Sequence, residues 1–270
     1  MTPKPEVLKD VTLLVTHYNR SGSLDRLLKA FKDLDWEFGE IIVSDDCSKP
    51  FHLDKLYELK NRYNFKLIKS PINKGLGNNL NKGQDAVTKK YTLYIQEDFV
   101  PKRAFRAHFN DALKMMEQDG CWDLVTFYSY EPYPYLNPYK HGFSEKIFHS
   151  SPLYINNLKF YLYGDHPHLR KSDFFSKFGR YREDLNGDQT EIEMSLSFIK
   201  NKGRSLFYDD LYALLDQVNS TTEPSTATFR KSWRQSNVPG ILLIRWFYLK
   251  YKFLKMSIKL LSRPRLKSTR

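Results

Sequence analysis

The sequence predicts an α/β fold in which helices flank a mostly parallel central sheet. Apolar runs of strand length alternate with helical patterns through the first half of the chain. Helices between successive strands are typical of parallel sheets, whose strands are joined by right-handed crossovers. A polar segment also follows each of these strands, as expected where a sheet binds a ligand at the carboxyl ends of its strands.

Short strands and amphipathic helices make up the predicted first half. The strands are apolar runs such as VTLLVT and EIIVS, and the helices carry apolar residues at three- and four-residue spacing. The strands are predicted over 11–16, 40–44, 65–68 and 91–95, and the helices over 23–34, 53–63 and 76–87.

The second half has a less regular pattern. Helices are predicted over 105–117, 172–178 and 191–200, and strands over 122–129 and 205–208. Segment 130–142 (YEPYPYLNPYKHG) has three prolines and four tyrosines, so we expect a loop without regular structure there. The segment STTEPS at 220–225 is the predicted linker to the remaining residues.

Charge is distributed unevenly along the chain. The 270 residues include 43 basic and 31 acidic side chains, which gives a net charge of +12. Residues 230–270 contain 12 Lys and Arg and no Asp or Glu, so residues 1–229 are neutral overall. A nucleic-acid-binding domain normally has a basic face of its own, and we therefore expect no nucleic acid partner.

Cysteine usage and the amino terminus indicate a cytoplasmic protein. The two cysteines, Cys47 and Cys121, belong to no CxxC motif and no His/Cys cluster. This argues against a disulfide scaffold and a structural zinc site, and it fits a reducing compartment. The first residues, MTPKPEVLKDV, include no apolar core, so we expect no signal peptide.

Four polar segments follow the four strands of the first half. They are THYNR at 16–20, DDCS at 45–48, NKGLG at 73–77 and QED at 96–98. Each segment alone is a weak signal, because Asp or Ser after a strand is often a helix N-cap and a Gly pair is often a turn. Since the carboxyl ends of parallel strands meet at one edge, we expect all four to face one ligand.

These segments resemble, in order and spacing, the motifs of the family 2 glycosyltransferases. VTLLVTHYNR resembles their opening strand and turn, IIVSDDCS their V-D-D-x-S segment, NKGLGNNLNKG their N-x-G stretch, and YIQEDFVP their metal-binding L-D-x-D-x-x-P segment. The resemblance covers 11–101, with a weaker similarity at 184–203. It implies a Rossmann-like GT-A fold and inverting transfer from a nucleotide sugar, but it specifies neither the donor nor the acceptor. We expect a UDP-linked rather than a GDP-linked donor and a role in synthesis of cell-surface polysaccharide or lipopolysaccharide.

The acidic pair Glu97–Asp98 lies where the resemblance implies a metal. Asp98 matches the second aspartate of the family's DxD motif, which would ligate Mg²⁺ or Mn²⁺ at the donor diphosphate. Gln96 replaces the first aspartate and brings a neutral oxygen. Either Glu97 turns toward the metal or Asp98 binds it nearly alone, and metal dependence is open. Alternatively, the pair caps a helix or turn.

The resemblance also implies a nucleotide site over the other segments. Asp45 matches the aspartate that reads the nucleobase, and a carboxylate suits the donor groups of uracil or guanine. Asp46 would share this role or cap the next turn. Alternatively, Tyr18 is an aromatic residue of the core and Lys74 is a solvated lysine, and neither contacts the donor. The expected donor-binding residues are Thr16, Tyr18, Arg20, Asp45, Asp46, Lys74, Gly75 and Glu97.

An inverting transfer needs a carboxylate that removes the proton of the attacking hydroxyl. QTEIEMSLSFIKNKG resembles the family segment that carries this base, with Glu191 at its aspartate and Asp188 as the rival. Glu191 and Glu193 point about 200° apart on a helix, so only one faces the cleft. Thr190 and Glu193 fit a capping box, which would leave Glu191 free.

Two further features concern the metal and the acceptor. The segment Asp165-His166-Pro167-His168 lies in a region from which some relatives complete their metal site, so His168 is a candidate ligand beside Asp98. The alternative is that these histidines hydrogen-bond backbone. The tyrosines of 130–139 form either a platform for acceptor sugars or part of the core.

The predicted division of the chain has a GT-A domain at 1–225 and a tail at 226–270. The domain has a nucleotide-binding half, 1–101, and an acceptor and catalytic half, 102–225. In the tail, 241–261 predicts a helix. At helical spacing, five basic residues from 245 to 263 fall within a sector of about 80°: Arg245, Lys252, Lys255, Lys259 and Arg263. Its wider apolar face carries Leu242, Leu243, Trp246, Leu249, Phe253, Met256 and Leu260.

A basic amphipathic helix with aromatic residues is typical of attachment to an anionic membrane surface. We therefore expect a peripheral protein on the inner face of the membrane, near a lipid-linked acceptor. Packing of the helix on the body is the alternative.

Two other classes remain as alternatives. A nucleotidyltransferase would need a Gly-rich, Lys-bearing phosphate loop, which THYNRSGSL lacks. A non-catalytic relative that binds sugar or partner proteins is favoured by the missing first aspartate.

Overall fold

A mixed sheet of nine strands forms the centre of the structure. The computed structural model describes residues 6–224 and 238–264. The strands are β1 (Glu6–His17), β2 (Trp36–Asp45), β3 (Lys66–Lys69), β4 (Tyr91–Gln96), β5 (Phe99–Pro101), β6 (Leu124–Thr126), β7 (Leu136–Pro138), β8 (Phe143–Lys146), β9 (His168–Lys171), β10 (Ser205–Tyr208) and β11 (Leu215–Gln217). The central order is β3-β2-β1-β4-β9-β6-β10-β8-β7, and β5 pairs with β11.

Helices flank this sheet, and every helix predicted from the sequence is present with its ends shifted by a few residues. They are α1 (Ser21–Asp33), α2 (Pro50–Tyr63), α3 (Gly75–Asp85), α4 (Arg103–Gln118), α5 (Phe174–Phe178), α6 (Gly187–Lys200) and α7 (Pro239–Ser262). A short 3-10 helix spans Asn157–Phe160. The α/β fold is therefore confirmed.

The first four strands of the central sheet pair in parallel, as predicted. Leu13 and Leu14 are both fully buried and belong to separate apolar clusters, because neighbours on a strand point to opposite faces. In register, Thr16 lies beside Ser44 and Gln96. The strand ends thus meet, and we call the set 16–20, 45–48, 73–77 and 96–98 the donor edge.

The antiparallel strand β9 lies between β4 and β6, a position that the sequence does not predict. Its segment HLRK lacks apolar alternation, yet Arg170 is fully buried. The guanidinium of Arg170 donates to Gln84 Oε1 at 2.7 Å and to Tyr181 Oη at 2.5 Å. These two hydrogen bonds offset part of the cost of burying the charge, while Nε has no hydrogen-bond partner among the described residues. Beyond β4 the sheet is therefore mixed.

The proline- and tyrosine-rich segment contains regular structure, so the prediction of a plain loop is wrong there. Strand β7 pairs antiparallel with β8 at the edge of the sheet, where Pro138 needs no ladder donor. Tyr133 is buried and its hydroxyl donates to the Lys159 carbonyl at 2.9 Å. Tyr130 and Tyr135 are only partly buried. The tyrosines therefore serve both the core and the surface.

Helix α7 packs on the body near the 3-10 helix and α6. Met256 is buried in a cluster with Phe160 and Leu196, and the ring of Phe253 lies 5.6 Å from that of Phe160. Residues 225 and 226, at the predicted boundary, lie outside the described residues. Glu223, within the predicted linker, contacts α1, as shown below, so this part of the segment is not a free linker.

Candidate active site

Asp45 organises the start of the donor edge. It is fully buried, and its Oδ1 lies 2.8 Å from His17 Nδ1. His17 Nε2 accepts from the Arg20 amide, so Nδ1 carries the proton and donates to Asp45. Ser48 donates to both carboxylate oxygens through its hydroxyl and amide. Burial opposes ionisation, but the hydrogen bonds from His17 and Ser48 outweigh it and hold the pKa of Asp45 below its usual value.

Asp46 joins the second and third segments of the donor edge. Its two oxygens accept from the amides of Lys74 at 3.0 Å and Gly75 at 2.8 Å. Gly75 has φ of +80°, a conformation that favours glycine. Asp46 therefore binds amides at the start of α3, whereas its predicted structural alternative is a cap on the turn directly after β2. Lys74 extends an exposed side chain beside it.

The end of β1 and the turn after it place two more expected donor residues at this edge. Thr16 is buried, and its hydroxyl lies 3.1 Å from that of Tyr94. Tyr18 is partly exposed rather than in the core.

A buried ion pair joins the first and fourth segments. Arg20 Nη1 lies 3.2 Å from Asp98 Oδ2 and 3.8 Å from Glu97 Oε1, and all three side chains are buried. Burial raises the pKa of Glu97 to about 7, and the neighbouring charge of Asp98 adds to this. The sequence places Arg20 and the acidic pair in separate motifs, and the sheet brings them into contact.

The carboxylate of Asp98 suits a divalent cation. Its Oδ1 is buried, and no hydrogen bond reaches it from the described residues. A buried carboxylate oxygen without a donor is costly unless a cation or proton satisfies it, and Mg²⁺ and Mn²⁺ prefer such hard oxygens. Gln96 is partly exposed at the end of β4 and can add only a neutral oxygen. The residues present therefore fit a metal held mainly by Asp98.

The segment after β11 contacts Arg20 of this ion pair, and sequence reasoning missed it. Asn219 Oδ1 accepts from Arg20 Nη2 at 2.5 Å. The Glu223 carboxylate accepts from the amides of Gly22 at 2.8 Å and Ser23 at 2.7 Å, at the amino terminus of α1. These contacts join residues about 200 positions apart, so no local pattern could reveal them.

An open pocket lies beyond the donor edge, and we call it the acceptor pocket. Loops, strands β6, β8 and β10, and helices α6 and α7 contribute to its walls. Its lining includes Thr126, Ser129, Tyr130, Glu131, Pro132, Tyr133, Lys146, Leu158, Tyr161, Gly164, His166, Asp188, Glu191, Phe207 and Lys252. Both candidate bases line this pocket, together with three tyrosines.

Glu191 faces the pocket in an acidic group. Its Oε1 accepts from the Asp165 amide at 3.3 Å, and ligand atoms of Asp165, His166 and Glu191 lie within 4.8 Å of one another. Burial and the Asp165 charge raise the pKa of Glu191 well above its usual value. The rival Asp188 is an exposed residue in the first turn of α6.

Glu193 points away from the pocket, as the helical spacing predicts, but the predicted capping box is wrong. Helix α6 begins at Gly187, and Asn186 caps it by accepting from the Gln189 amide at 3.0 Å. Neither Thr190 nor Asp188 is therefore the N-cap. The Glu193 carboxylate instead binds two basic residues of α7.

His168 lies inside the sheet rather than in the acidic group. It is fully buried on β9 opposite Tyr94, and its Nδ1 lies 2.7 Å from the carbonyl oxygen of His166. Burial and Arg170 lower the pKa of His168 well below its usual value, so the ring is neutral. His166, not His168, joins Asp165 and Glu191. The structure thus favours the backbone-bonding alternative for His168 over its expected metal role.

Lys146 is a buried lysine in the acceptor pocket that sequence reasoning missed. Its ammonium donates to Thr126 Oγ1 and to the Leu162 carbonyl, both at 3.3 Å. Burial lowers the pKa of Lys146 to about 7, while Glu191 opposes that shift. The segment FSEK gives no sequence signal for a buried lysine, because its burial depends on β10 and β7 pairing on either side.

Solved structures share this fold at low sequence identity. TarS from Staphylococcus aureus, in complex with UDP-GlcNAc, superposes with a TM-score of 0.61 at 15% identity, over 96% of this chain and 68% of that one. The mannosyltransferase PcManGT from Pyrobaculum calidifontis, in complex with GDP-Man and Mn²⁺, superposes with a TM-score of 0.54 at 14% identity, over 97% and 75%. These similarities establish the GT-A fold.

Sequence comparisons establish the family. A poly-β-1,6-N-acetyl-D-glucosamine synthase from Staphylococcus epidermidis is 27% identical over 93 residues, which are 34% of this chain and 23% of that protein. The corresponding synthase of S. aureus strain MSSA476 is 26% identical over 136 residues, 49% of this chain and 29% of that one. The model of glycosyl transferase family 2 matches residues 12–179, which include the whole donor edge. This chain belongs to glycosyl transferase family 2.

Proposed function

We propose that the chain is an inverting enzyme that transfers a hexosyl or similar group from a UDP-sugar to a hydroxyl of a glycan or lipid-linked glycan. The observation that carries this proposal is the buried Oδ1 of Asp98 at the donor edge, which accepts no hydrogen bond from the described residues. Glu191 lies in the acceptor pocket. The UDP-GlcNAc complex of TarS and the poly-N-acetylglucosamine synthases support a UDP donor and a role in cell-surface polysaccharide or lipopolysaccharide synthesis.

Asp98 would hold Mg²⁺ or Mn²⁺, with Arg20 beside it. The cation would stabilise the negative charge that develops on the leaving diphosphate. Arg20 compensates the buried acids and offers a guanidinium to the same diphosphate. Tyr18, Lys74 and Gly75 would contact the nucleotide, while Asp45 and Asp46 hold the surrounding turns in position.

Glu191 would act as the base. The carboxylate takes the proton of the acceptor hydroxyl while that oxygen attacks the anomeric carbon from the face opposite the leaving group, which inverts the configuration. A raised pKa brings a carboxylate closer to neutral pH and makes it a stronger base. The partly exposed tyrosine rings in the pocket offer faces against which an acceptor sugar can stack.

Calorimetric titration with UDP and GDP, with Mn²⁺ and with EDTA, tests the donor site. We expect UDP to bind in a metal-dependent manner and Asp98→Ala to abolish this binding. Asp216→Ala is the matched control, since Asp216 is an exposed acid next to the site that pairs with Lys102. GDP is included because the mannosyltransferase neighbour binds GDP-Man.

A non-catalytic relative that binds sugar or partner proteins is the second candidate, because Gln96 removes one charge from the motif. Metal-dependent release of UDP from UDP-GlcNAc would exclude it. Failure of the wild type to bind either nucleotide would contradict the enzyme proposal and favour this alternative.

Helix α7 supports a peripheral membrane location, although with a different face from the expected one. Lys252 donates to the Tyr161 hydroxyl at 2.6 Å, and Lys259 and Arg263 bind Glu193, so most of the basic sector faces the body. The exposed side chains are mainly apolar: Leu242, Leu243, Ile244, Trp246, Phe247, Leu249, Tyr251, Leu254, Ile258 and Leu261.

We infer that this apolar face docks on the cytoplasmic surface of an anionic membrane. Lys255 is exposed on the same helix, and the sequence beyond the described residues adds Arg265, Lys267 and Arg270. Among the described helices, none is long and apolar enough to cross a membrane. Cys47 and Cys121 are both free thiols, which fits a reducing compartment.

A further inference from the structure

The last strand of the body brings a glutamine against the metal-binding carboxylate. Strand β11 pairs antiparallel with β5, and Gln217 lies opposite Phe99, the residue after Asp98. The Val218 amide donates to the Asp98 carbonyl at 2.7 Å, which ties the two backbones together next to the carboxylate. The pairing of β11 with β5 therefore fixes the backbone of Gln217 next to Asp98.

The amide of Gln217 is used at both of its ends. Its Nε2 donates to Asp98 Oδ2 at 2.9 Å, and its Oε1 accepts from the Tyr130 hydroxyl at 2.7 Å. A carboxylate can only accept and the amide nitrogen can only donate, so the orientation of the amide is determined.

This arrangement explains why Oδ1 of Asp98 has no hydrogen-bond partner among the described residues. Gln217 and Arg20 both bind Oδ2, while Oδ1 is buried without a hydrogen bond from the described residues. Two partners on the same oxygen prevent the carboxylate from rotating freely. Oδ1 is thereby held in one direction, with no hydrogen-bond donor among the described residues to compete with a cation.

Tyr130 connects this carboxylate to the acceptor pocket. It lines that pocket, and its ring lies 4.8 Å from the ring of His166, edge to face. His166 belongs to the group around Glu191. A chain of contacts therefore runs from the candidate base, through Tyr130 and Gln217, to Asp98.

We propose that Gln217 is a positioning residue that holds Asp98 in its metal-binding orientation, and that Tyr130 acts on Asp98 through Gln217. The inference rests on the proposed function only in taking Asp98 as the metal ligand. A partner that orients a metal-binding carboxylate typically contributes 10- to 100-fold to metal affinity.

The test measures Mn²⁺ binding by the electron paramagnetic resonance signal of free Mn²⁺, in the presence of UDP and without turnover. Gln217→Leu keeps the size of the side chain and removes both hydrogen bonds, and we expect it to weaken Mn²⁺ binding by about 10- to 100-fold. Tyr130→Phe keeps the ring and removes one bond, and we expect a smaller loss. Gln118→Leu, at the exposed end of α4, is the matched control and should bind as the wild type does.

A double-mutant cycle distinguishes action through Gln217 from a separate effect of Tyr130. If Tyr130 acts through Gln217, the double variant Gln217→Leu/Tyr130→Phe binds Mn²⁺ no more weakly than Gln217→Leu alone. Additive losses would overturn the role of Tyr130. Circular dichroism and thermal melting of each variant show that it is folded.

The outcomes separate this inference from the proposed function. Unchanged Mn²⁺ affinity in a folded Gln217→Leu protein, with loss in Asp98→Ala, would overturn the inference and leave the metal site in place. A wild type that binds no Mn²⁺ with UDP would overturn both. Loss of binding in Gln217→Leu together with unchanged binding in Asp98→Ala would overturn the role of Asp98 and with it this inference.

Discussion

At the scale of single residues, the donor edge concentrates acidic side chains in places where burial opposes their charge. Glu97 and Asp98 are both buried, and Arg20 is the described cation in contact with them. Such a cluster is costly for folding unless a ligand satisfies it. We interpret the cluster as a site whose charge balance is completed by bound metal and diphosphate.

The pH dependence of folding tests this interpretation at Glu97. Burial raises the folded-state pKa of Glu97 from 4.5 to about 7, so the folded protein holds the proton more tightly than the unfolded chain. The stability that this proton contributes is fully present below about pH 4 and is lost as pH rises through about 7. Without metal, we expect the free energy of unfolding of Glu97→Gln to exceed that of the wild type by up to about 3 kcal/mol at pH 8. At pH 4 we expect the two free energies to be equal.

Urea unfolding in EDTA at both pH values measures this difference. A Glu97→Gln protein with the same advantage at pH 4 and pH 8 would contradict the raised pKa, because a packing effect does not vary with pH. Glu117→Gln, on the exposed end of α4, controls for loss of a surface charge.

The candidate base gives a second prediction at this scale. Burial and Asp165 raise the pKa of Glu191, and a base must be ionised, so turnover should increase with pH through that raised value. Glu191→Gln should slow UDP release from UDP-GlcNAc by about 10²- to 10⁴-fold. Asp165→Asn removes a like charge and should move the acidic limb of the pH profile to lower pH.

Asp188→Asn serves as the comparison for the base. We expect a small effect, because Asp188 is exposed and its charge only adds to the shift of Glu191. A loss as large as that of Glu191→Gln would transfer the role of base to Asp188.

At the scale of elements, distant segments hold the helix ends. Glu223 places a carboxylate on the first amides of α1, where the helix dipole favours negative charge. Hydrogen bonds from Ser23 and Gly22 outweigh burial and lower the pKa of Glu223. This contact attaches the chain after β11 to the donor edge.

We expect Glu223→Ala to lower the free energy of unfolding by about 1 kcal/mol, since the helix loses a cap and a favourable charge. Glu223→Gln should lower the free energy of unfolding by less. Urea unfolding at neutral pH measures both, and Thr221→Ala, on an exposed neighbour, is the control. If Glu223→Ala and Glu223→Gln are as stable as the control Thr221→Ala, the contact between Glu223 and α1 does not stabilise the fold.

One acidic residue of α6 binds α7 through two ion pairs, in addition to the apolar contacts between the helix and the body. Lys259 and Arg263 bind the two oxygens of Glu193, and both basic side chains are partly exposed, so each pair contributes at most about 1 kcal/mol. In Lys259→Ala/Arg263→Ala we expect amide hydrogen exchange in α7 to accelerate about fivefold or more. Lys255→Ala, on the exposed side of the same helix, should leave exchange unchanged. Equal exchange in the two variants would contradict the role of Glu193.

At the scale of the whole molecule, a neutral body is joined to a basic helix that exposes apolar side chains. Burial of one large apolar side chain is worth about 1.5–3 kcal/mol. Trp246→Ser/Phe247→Ser should therefore reduce binding to phosphatidylglycerol vesicles by more than about tenfold. Phe51→Ser, an exposed aromatic on α2, is the control. Cosedimentation measures binding, and a wild type that ignores anionic vesicles at moderate salt would contradict membrane docking.

The sequence predicts the parallel half of the fold and the make-up of the donor edge. Apolar periodicity over Val11–Ile95 is a local property, and strands in parallel order must end at the same edge. Strand β9 escaped prediction because Arg170 and His168 are polar yet buried, and their burial depends on partners elsewhere in the chain. The N-cap of α6 was also not predicted. Asn186 precedes Gly187, a poor helix former, whereas Thr190 and Glu193 fit a capping box and indicate a later start.

The sequence by itself determined which chemical groups follow each strand, and therefore the family and the acidic character of the site. Only the tertiary structure decided which of those groups meet. The pairing of Gln217 with Asp98, the cap that Glu223 forms on α1, and the burial of Lys146 beside Glu191 all join segments far apart in the chain. Such contacts leave no local pattern, because they arise when β5 pairs with β11 and β8 with β10, and only folding brings those strands together.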